Sequence, residues 1–499
     1  MSDIEERLQE LEALGLGRRL RLVSGPQGPT VLLDGKPVLL LCSNNYLGLA
    51  DHPRVREAAA DAAMRWGVGA GSSRLVSGTM TIHRRLEESL AEFKGSEACL
   101  LFGSGYLANL GVIGALAGRG DVVFSDELNH ASIIDGCRLS RAEVAVYRHR
   151  DMEHLEWSLR RHQGERRVIV TDSVFSMDGD VAPLEEIAEL AGTHGARVVV
   201  DEAHATGNLG PGGRGAVAAA GLEDEVDVIV GTLGKALGSY GAYVCASTEM
   251  VRYLVNTARS LIFSTAPPPP AVAGALAALE LLQERPHRVQ RLRANARALR
   301  RALAVEGFPV EESAMHIVPL IVGDERAAMR LCQEAIGRGA FAQAIRSPTV
   351  AMGAARLRLT AMASHTASEL QLAAAVFGKV AREIGLDPAS TKPALPEREI
   401  VEEDLEVEAY EPRLVAFSSE RSYDADTSTA GPFDLEHDSR QEPAFNREHQ
   451  ADFARPQGAG RDAHDEREMV GEPTEPMETI PGPDVPFDFE RETSGARAA

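Results

Sequence analysis

The sequence predicts an α/β protein: a large domain on a mostly parallel sheet wrapped by helices, a small α+β domain after it, and an acidic tail. Three observations carry this. Between about residues 46 and 250, short apolar runs rich in β-branched residues alternate with helical stretches, the pattern of βαβ units. Four prolines at 267–270 interrupt that pattern, and two further apolar runs follow at 315–323 and 355–362. After 388 hydrophobic periodicity ends and Pro, Glu, Asp and Ser dominate. Such a segment cannot bury enough apolar area to offset its ordering entropy, so disorder is expected over 389–499.

Taken in order, residues 3–14 place Ile4, Leu8, Leu11 and Leu14 at helical spacing. A turn follows at 43–48, and this helix and arm fill 1–45. The large domain, 46–285, contains the strand runs CLLFGSG (99–105), DVVFSD (121–126), VIVTDS (168–173), RVVVDEAH (197–204), DVIVGTLG (227–234) and AYVCAS (242–247). Helical stretches such as 81–94 and 183–194 separate several of them. A long helix is expected over about 271–305. In the small domain, 286–388, strands at 315–323 and 355–362 flank a helix near 325–338, and a helix at 366–384 closes it. Ligands of such sheets bind at the carboxyl ends of the strands.

Charge narrows the partners. Of the net −22, residues 391–499 carry −17, from 28 acidic and 11 basic side chains, so the rest is nearly balanced. This disfavours non-specific nucleic-acid binding. The five cysteines are scattered without a CxxC pair, which fits reduced thiols in the cytoplasm better than a disulfide framework or a metal site. The first residues are acidic and lack the pattern of a signal peptide. No apolar run reaches the 18 residues a membrane helix needs, so no membrane contact is expected.

The chemistry-bearing residues sit at strand ends. VVVDEAHATG (198–207) ends a strand in Asp201, with His204 three residues on. Alone, that spacing also fits a metal half-site or a capped turn. VDVIVGTLGKALG (226–238) ends another strand in Thr232, Leu233, Gly234 and Lys235; a single lysine is usually a solvated surface group. LLFGSGYLANLGVIGAL (100–116) runs through Gly103–Ser104–Gly105–Tyr106 into a helix, aiming amides at an anion or making only a tight turn. His130 and Ser176 follow two further strands. Together they match what pyridoxal 5'-phosphate (PLP) requires: a lysine for the aldehyde, an acid for the pyridine nitrogen, and donors for the phosphate. A dehydrogenase is set aside, because no GxGxxG directly follows a first strand with an acid about 20 residues later.

SNNYLGL (43–49), GAGSSRLVSG (69–78), LNHASIIDG (128–136), VFSMDGD (174–180), VDEAHATG (200–207) and the Thr232–Lys235 segment resemble the α-oxoamine synthases, a family of aminotransferase-like fold type I PLP enzymes. The resemblance covers about residues 1–385 and implies a role for each matching position. Lys235 holds the cofactor as a Schiff base and later moves the α-proton. Asp201 pairs with the pyridine nitrogen, His204 with the phenolic oxygen, and His130 stacks on the ring; Ser176 lies near the ring oxygen. Gly105, Tyr106 and Thr232 hold the phosphate, with Ser264 and Thr265 from a partner chain, since the family's sites lie at homodimer interfaces. Arg358 takes the amino-acid carboxylate, with Asn44 beside it.

The implied reaction joins an amino acid to an acyl-CoA or acyl carrier protein thioester with loss of CO₂. IRSPTV (345–350) resembles the branch that uses alanine and a pimeloyl thioester, which maps Arg346 and Thr349 to the substrate region and Arg18 to the acyl carboxylate. A glycine C-acetyltransferase is the rival branch. A scaffold acting through its acidic tail is the rival class, and the intact Lys235, Asp201 and His204 argue against it. Ser173, where glycine is common, and the bulky 238–243 stretch depart from the family pattern.

Overall fold

The computed structural model describes residues 3–13, 17–311, 313 and 315–392. Val23–Ser24 (β1), Thr30–Leu33 (β2) and Lys36–Leu40 (β3) form an antiparallel N-terminal sheet. The large sheet has seven strands: Ala98–Phe102 (β4), Val122–Asp126 (β5), Glu143–Tyr147 (β6), Arg167–Asp172 (β7), Arg197–Asp201 (β8), Val228–Thr232 (β9) and Ala242–Ala246 (β10). Their order is β4-β10-β9-β8-β7-β5-β6, with β10 antiparallel to both neighbours and every other pair parallel.

The central strands read as unbroken Val/Ile runs because both faces are covered. Ile169 and Val200 join an apolar cluster with Leu86 and Leu90 of helix Thr81–Lys94 and Leu279 of helix Pro269–Glu284. Val168, Val170 and Val199 join the opposite cluster, with Val112 and Ile113 of helix Gly105–Leu116. Strand β6 was not among the expected runs. It lies at the sheet edge, where only Ala145 and Tyr147 are buried and charged residues flank a short alternation.

Ile317–Gly323 (β11), Ala340–Phe341 (β12), Gln343–Ile345 (β13) and Ala355–Thr360 (β14) follow. Strands β11, β14 and β13 form an antiparallel sheet, while β12 pairs with β3. The expected 271–305 helix is two, Pro269–Glu284 and His287–Val305. Pro286 separates them because it lacks the N–H that a continuous helix needs. The closing helix Ala367–Glu383 starts at a capping box of Thr366 and Glu369. Residues 389–392 belong to the fold: Thr391 is buried and Lys392 exchanges backbone hydrogen bonds with Ile321. From 393 onward the expected disordered tail lies outside the described residues.

One buried ion pair holds the turn after β8. Lys94 Nζ contacts the Glu202 carboxylate, lies 3.2 Å from Thr206 Oγ1, and meets the Arg214 carbonyl. Glu202 Oε1 also accepts the Val217 N–H at 2.7 Å. Lys94→Met strands a carboxylate in the core and is expected to cost ~3–5 kcal/mol, read from the urea midpoint. Adding Glu202→Gln is expected to recover part of that loss.

Candidate active site

Strands β4, β5, β7, β8 and β9 present their carboxyl ends to one region, and each ends in a polar or glycine-rich turn. Two glycines permit the close approach. A Cβ on Gly231 would sit 2.2 Å from Tyr243 Cζ on the adjacent strand. Gly207 has φ +82° and would meet the Ala236 Cβ at 2.5 Å, so the turn after β8 packs directly beside Lys235.

A chain of hydrogen bonds starts at Lys235. Its Nζ lies 2.6 Å from His204 Nε2, and His204 Nδ1 lies 2.7 Å from Tyr46 OH. Tyr46 OH donates to Asn44 Oδ1 at 3.0 Å, which also accepts from Arg358 Nη1 at 3.4 Å. Because Tyr46 donates to Asn44, it accepts from His204, which assigns the proton to Nδ1 and leaves Nε2 to accept from Lys235. Burial and the neighbouring Lys235 charge push His204 well below the usual histidine range. Burial lowers Lys235 to about 8 against the upward pull of Asp201 and Asp172.

A second chain starts at Asp201, which is 5% exposed. Its Oδ2 accepts from Asn109 Nδ2 at 2.7 Å, and its Oδ1 from the Ala203 N–H at 2.8 Å. Asn109 Nδ2 also donates to Ser132 Oγ at 2.9 Å, and Ser132 Oγ lies 2.7 Å from His130 Nδ1. The His130 backbone N–H donates to Asp172 at 2.6 Å. Burial, then the Asp201 charge, raise Asp172 well above the carboxylate range. Burial lowers His130.

The structure therefore brings Lys235, His204, Asn44 and Arg358 into one network and Asp201 and His130 into another. The pKa shifts couple Lys235 to both. Ser176 joins through its carbonyl, which accepts from Arg358 Nε. Arg18, Arg346 and Thr349 lie elsewhere: Arg346 Nη2 donates to the Gly17 carbonyl at 2.6 Å, one residue before Arg18 in the chain, and Thr349 N–H donates to the Arg346 carbonyl at 3.1 Å. Ser264 and Thr265 are on a loop tied by Thr265 to Ser73.

Tyr46, Asn109 and Asp172 had no role in the sequence reading. Tyr46 stood in a quoted motif yet read as part of a turn. Asn109 is one turn into a helix, where an asparagine carries no signal of its own.

The arrangement fits PLP. A buried, easily neutralised lysine stands with a buried carboxylate. Ser104 Oγ caps helix Gly105–Leu116 by accepting the Leu107 N–H, which leaves the Gly105 and Tyr106 amides to an anion, and open space surrounds the position of a Cβ on Gly105. The Tyr106 hydroxyl donates to Asp135 instead.

Comparisons with known proteins agree. Residues 36–377 match the family described as aminotransferase class I and II. The chain is 51% identical over 389 residues to an 8-amino-7-oxononanoate synthase of Citrifermentans bemidjiense, covering 77% of this chain and 100% of that protein. It is 53% identical over 367 residues to a protein of the same name from Anaeromyxobacter dehalogenans, covering 74% and 92%. A serine palmitoyltransferase from S. paucimobilis, solved with a bound PLP–myriocin aldimine, matches with TM-score 0.73 at 34% identity, covering 77% of this chain and 98% of that one.

Proposed function

The chain belongs to the aminotransferase class I and II family and, within it, to the PLP-dependent α-oxoamine synthases, and we propose that it condenses alanine with a pimeloyl thioester to give 8-amino-7-oxononanoate. The observation that carries this reading is the continuous network from Lys235 through His204, Tyr46 and Asn44 to Arg358. It links a proton-transfer amine to a carboxylate-binding fork.

The cofactor, when bound, supplies an aldehyde for the amino group and a cationic ring that withdraws electrons from the α-carbon. Asp201 would keep the pyridine nitrogen protonated, with Asn109 fixing its orientation. Neutral His204 would hydrogen-bond the phenolic oxygen, and His130 would cover the ring face. The first-turn amides of Gly105 and Tyr106, with Thr232, would hold the phosphate. Arg358 grips the amino-acid carboxylate, with Asn44 beside it, until CO₂ leaves. Lys235, whose ammonium is made easier to neutralise by burial, would remove the α-proton and return it. Arg346, bonded to the Gly17 carbonyl next in sequence to Arg18, would offer a cation with Arg18 to the far carboxylate of a dicarboxylic acyl chain.

The test is turnover of alanine with pimeloyl-CoA against glycine with acetyl-CoA, read as free thiol and product mass. Alanine with pimeloyl-CoA is expected to lead by about 10²-fold in kcat/KM. A lead for glycine and acetyl-CoA moves the chain to the acetyltransferase branch.

The working unit in this reading is a homodimer. Leu75, Val76 and Phe263 are exposed apolar residues on two loops joined by the Ser73–Thr265 bridge. Val76→Asp is expected to halve the mass seen by light scattering and to abolish turnover. A dimer of unchanged mass overturns this placement of the interface.

A further inference from the structure

Helix His287–Val305 carries a concentration of positive charge of which the described structure balances little: Glu311 acts on Arg300, and Glu284 lies near Arg285. Arg285 and the six arginines at 288, 291, 293, 297, 300 and 301 fall in seventeen residues without one acid. Arg300 is buried and donates to the Met315 and Ile317 carbonyls, and Arg293 donates to the Asn208 carbonyl. Arg291, Arg297 and Arg301 are exposed, share one helix face, and have no hydrogen bond or ion pair among the described residues. Like charges one turn apart destabilise a helix, and cations at its N-terminus oppose the macrodipole. At that end Arg288 Nε and Ser364 Oγ are buried without partners among the described residues, beside a cavity of about 270 Å³ that Arg291 also lines.

The chain itself contains the complement. Its described part ends at Lys392, and Pro388 packs against Gly307, two residues beyond this helix, with a Cβ on Gly307 falling 3.7 Å from it. The next stretch, 397–411, holds eight acids and one base. The helix is about 28 Å long, and fifteen extended residues reach about 50 Å. We infer that the acidic segment 397–411 docks in cis along the Arg301–Arg297–Arg291 face, running from the C-terminal end of the helix towards its N-terminus.

The test places nitroxides at Gln290→Cys and Leu405→Cys of the full-length holoenzyme, diluted into unlabelled chain so that only intrachain distances are read. A narrow short-distance population is expected at low salt. It should disappear at ~1 M salt, where screening acts within ~3 Å. It should also disappear in Arg291→Gln/Arg297→Gln/Arg301→Gln and, independently, when Glu402, Glu403 and Asp404 become amides. A broad distribution at every salt concentration, or one unchanged by both sets of substitutions, overturns the proposal. So does a short distance seen only between two labelled chains, which would make the occupant a second copy.

Discussion

Lys235→Ala is expected to lower turnover by ~10⁴-fold or more, because one side chain is proposed both to hold the cofactor and to move the α-proton. The same variant should lose the visible absorbance of lysine-bound PLP while keeping its far-ultraviolet circular dichroism. Wild-type protein makes a finer prediction. Burial lowers Lys235 from 10.5 to about 8, so the amine is cationic below that pH and neutral above it. Only the neutral amine attacks an aldehyde. The rate at which apoprotein takes up PLP should rise about tenfold per unit below pH 8 and level off above it. An uptake rate still climbing steeply past pH 9 would show a solvated lysine and remove the basis for its role as base.

The convergence of Lys235, Asp201 and His204 is legible in the sequence because chain direction does most of the placing. A polar residue that ends an apolar parallel strand must emerge at the ligand edge of the sheet. The groups that hold those residues are less legible. Asn109 meets Asp201 across 92 residues of sequence, and only the packing of helix Gly105–Leu116 on the sheet brings them together. Tyr46 reaches His204 across 158 residues for the same kind of reason. Edge strand β6 is half exposed, so its alternation is short and weak. The break at Pro286 was readable, and the arginine-rich periodicity on its far side masked it.

Asp201→Asn is expected to reduce kcat by ~10²–10³-fold, the usual cost of losing one preorganised electrostatic contact in a buried site. An amide still accepts from the Ala203 N–H through its one oxygen, while its NH₂ replaces the oxygen that met Asn109; losing that single contact should leave the fold standing. The charge, however, is lost. That charge acts upward on Lys235, so its removal should lower the lysine further and move the midpoint of PLP uptake below pH 8. The two effects have opposite senses: loading becomes easier at neutral pH while turnover collapses. A merely misfolded variant would lose both. Asn109→Ala removes the donor and leaves the carboxylate in place. One hydrogen bond to a charged group is worth ~1.5–3 kcal/mol, so the loss should be about 10–100-fold, between wild type and Asp201→Asn. Restoring a donor with Asn109→Gln should recover part of kcat if orientation of Asp201 is what Asn109 supplies. If Asn109→Ala instead matches wild type in kcat, the carboxylate is held well enough by the Ala203 N–H alone, and the second network is structural.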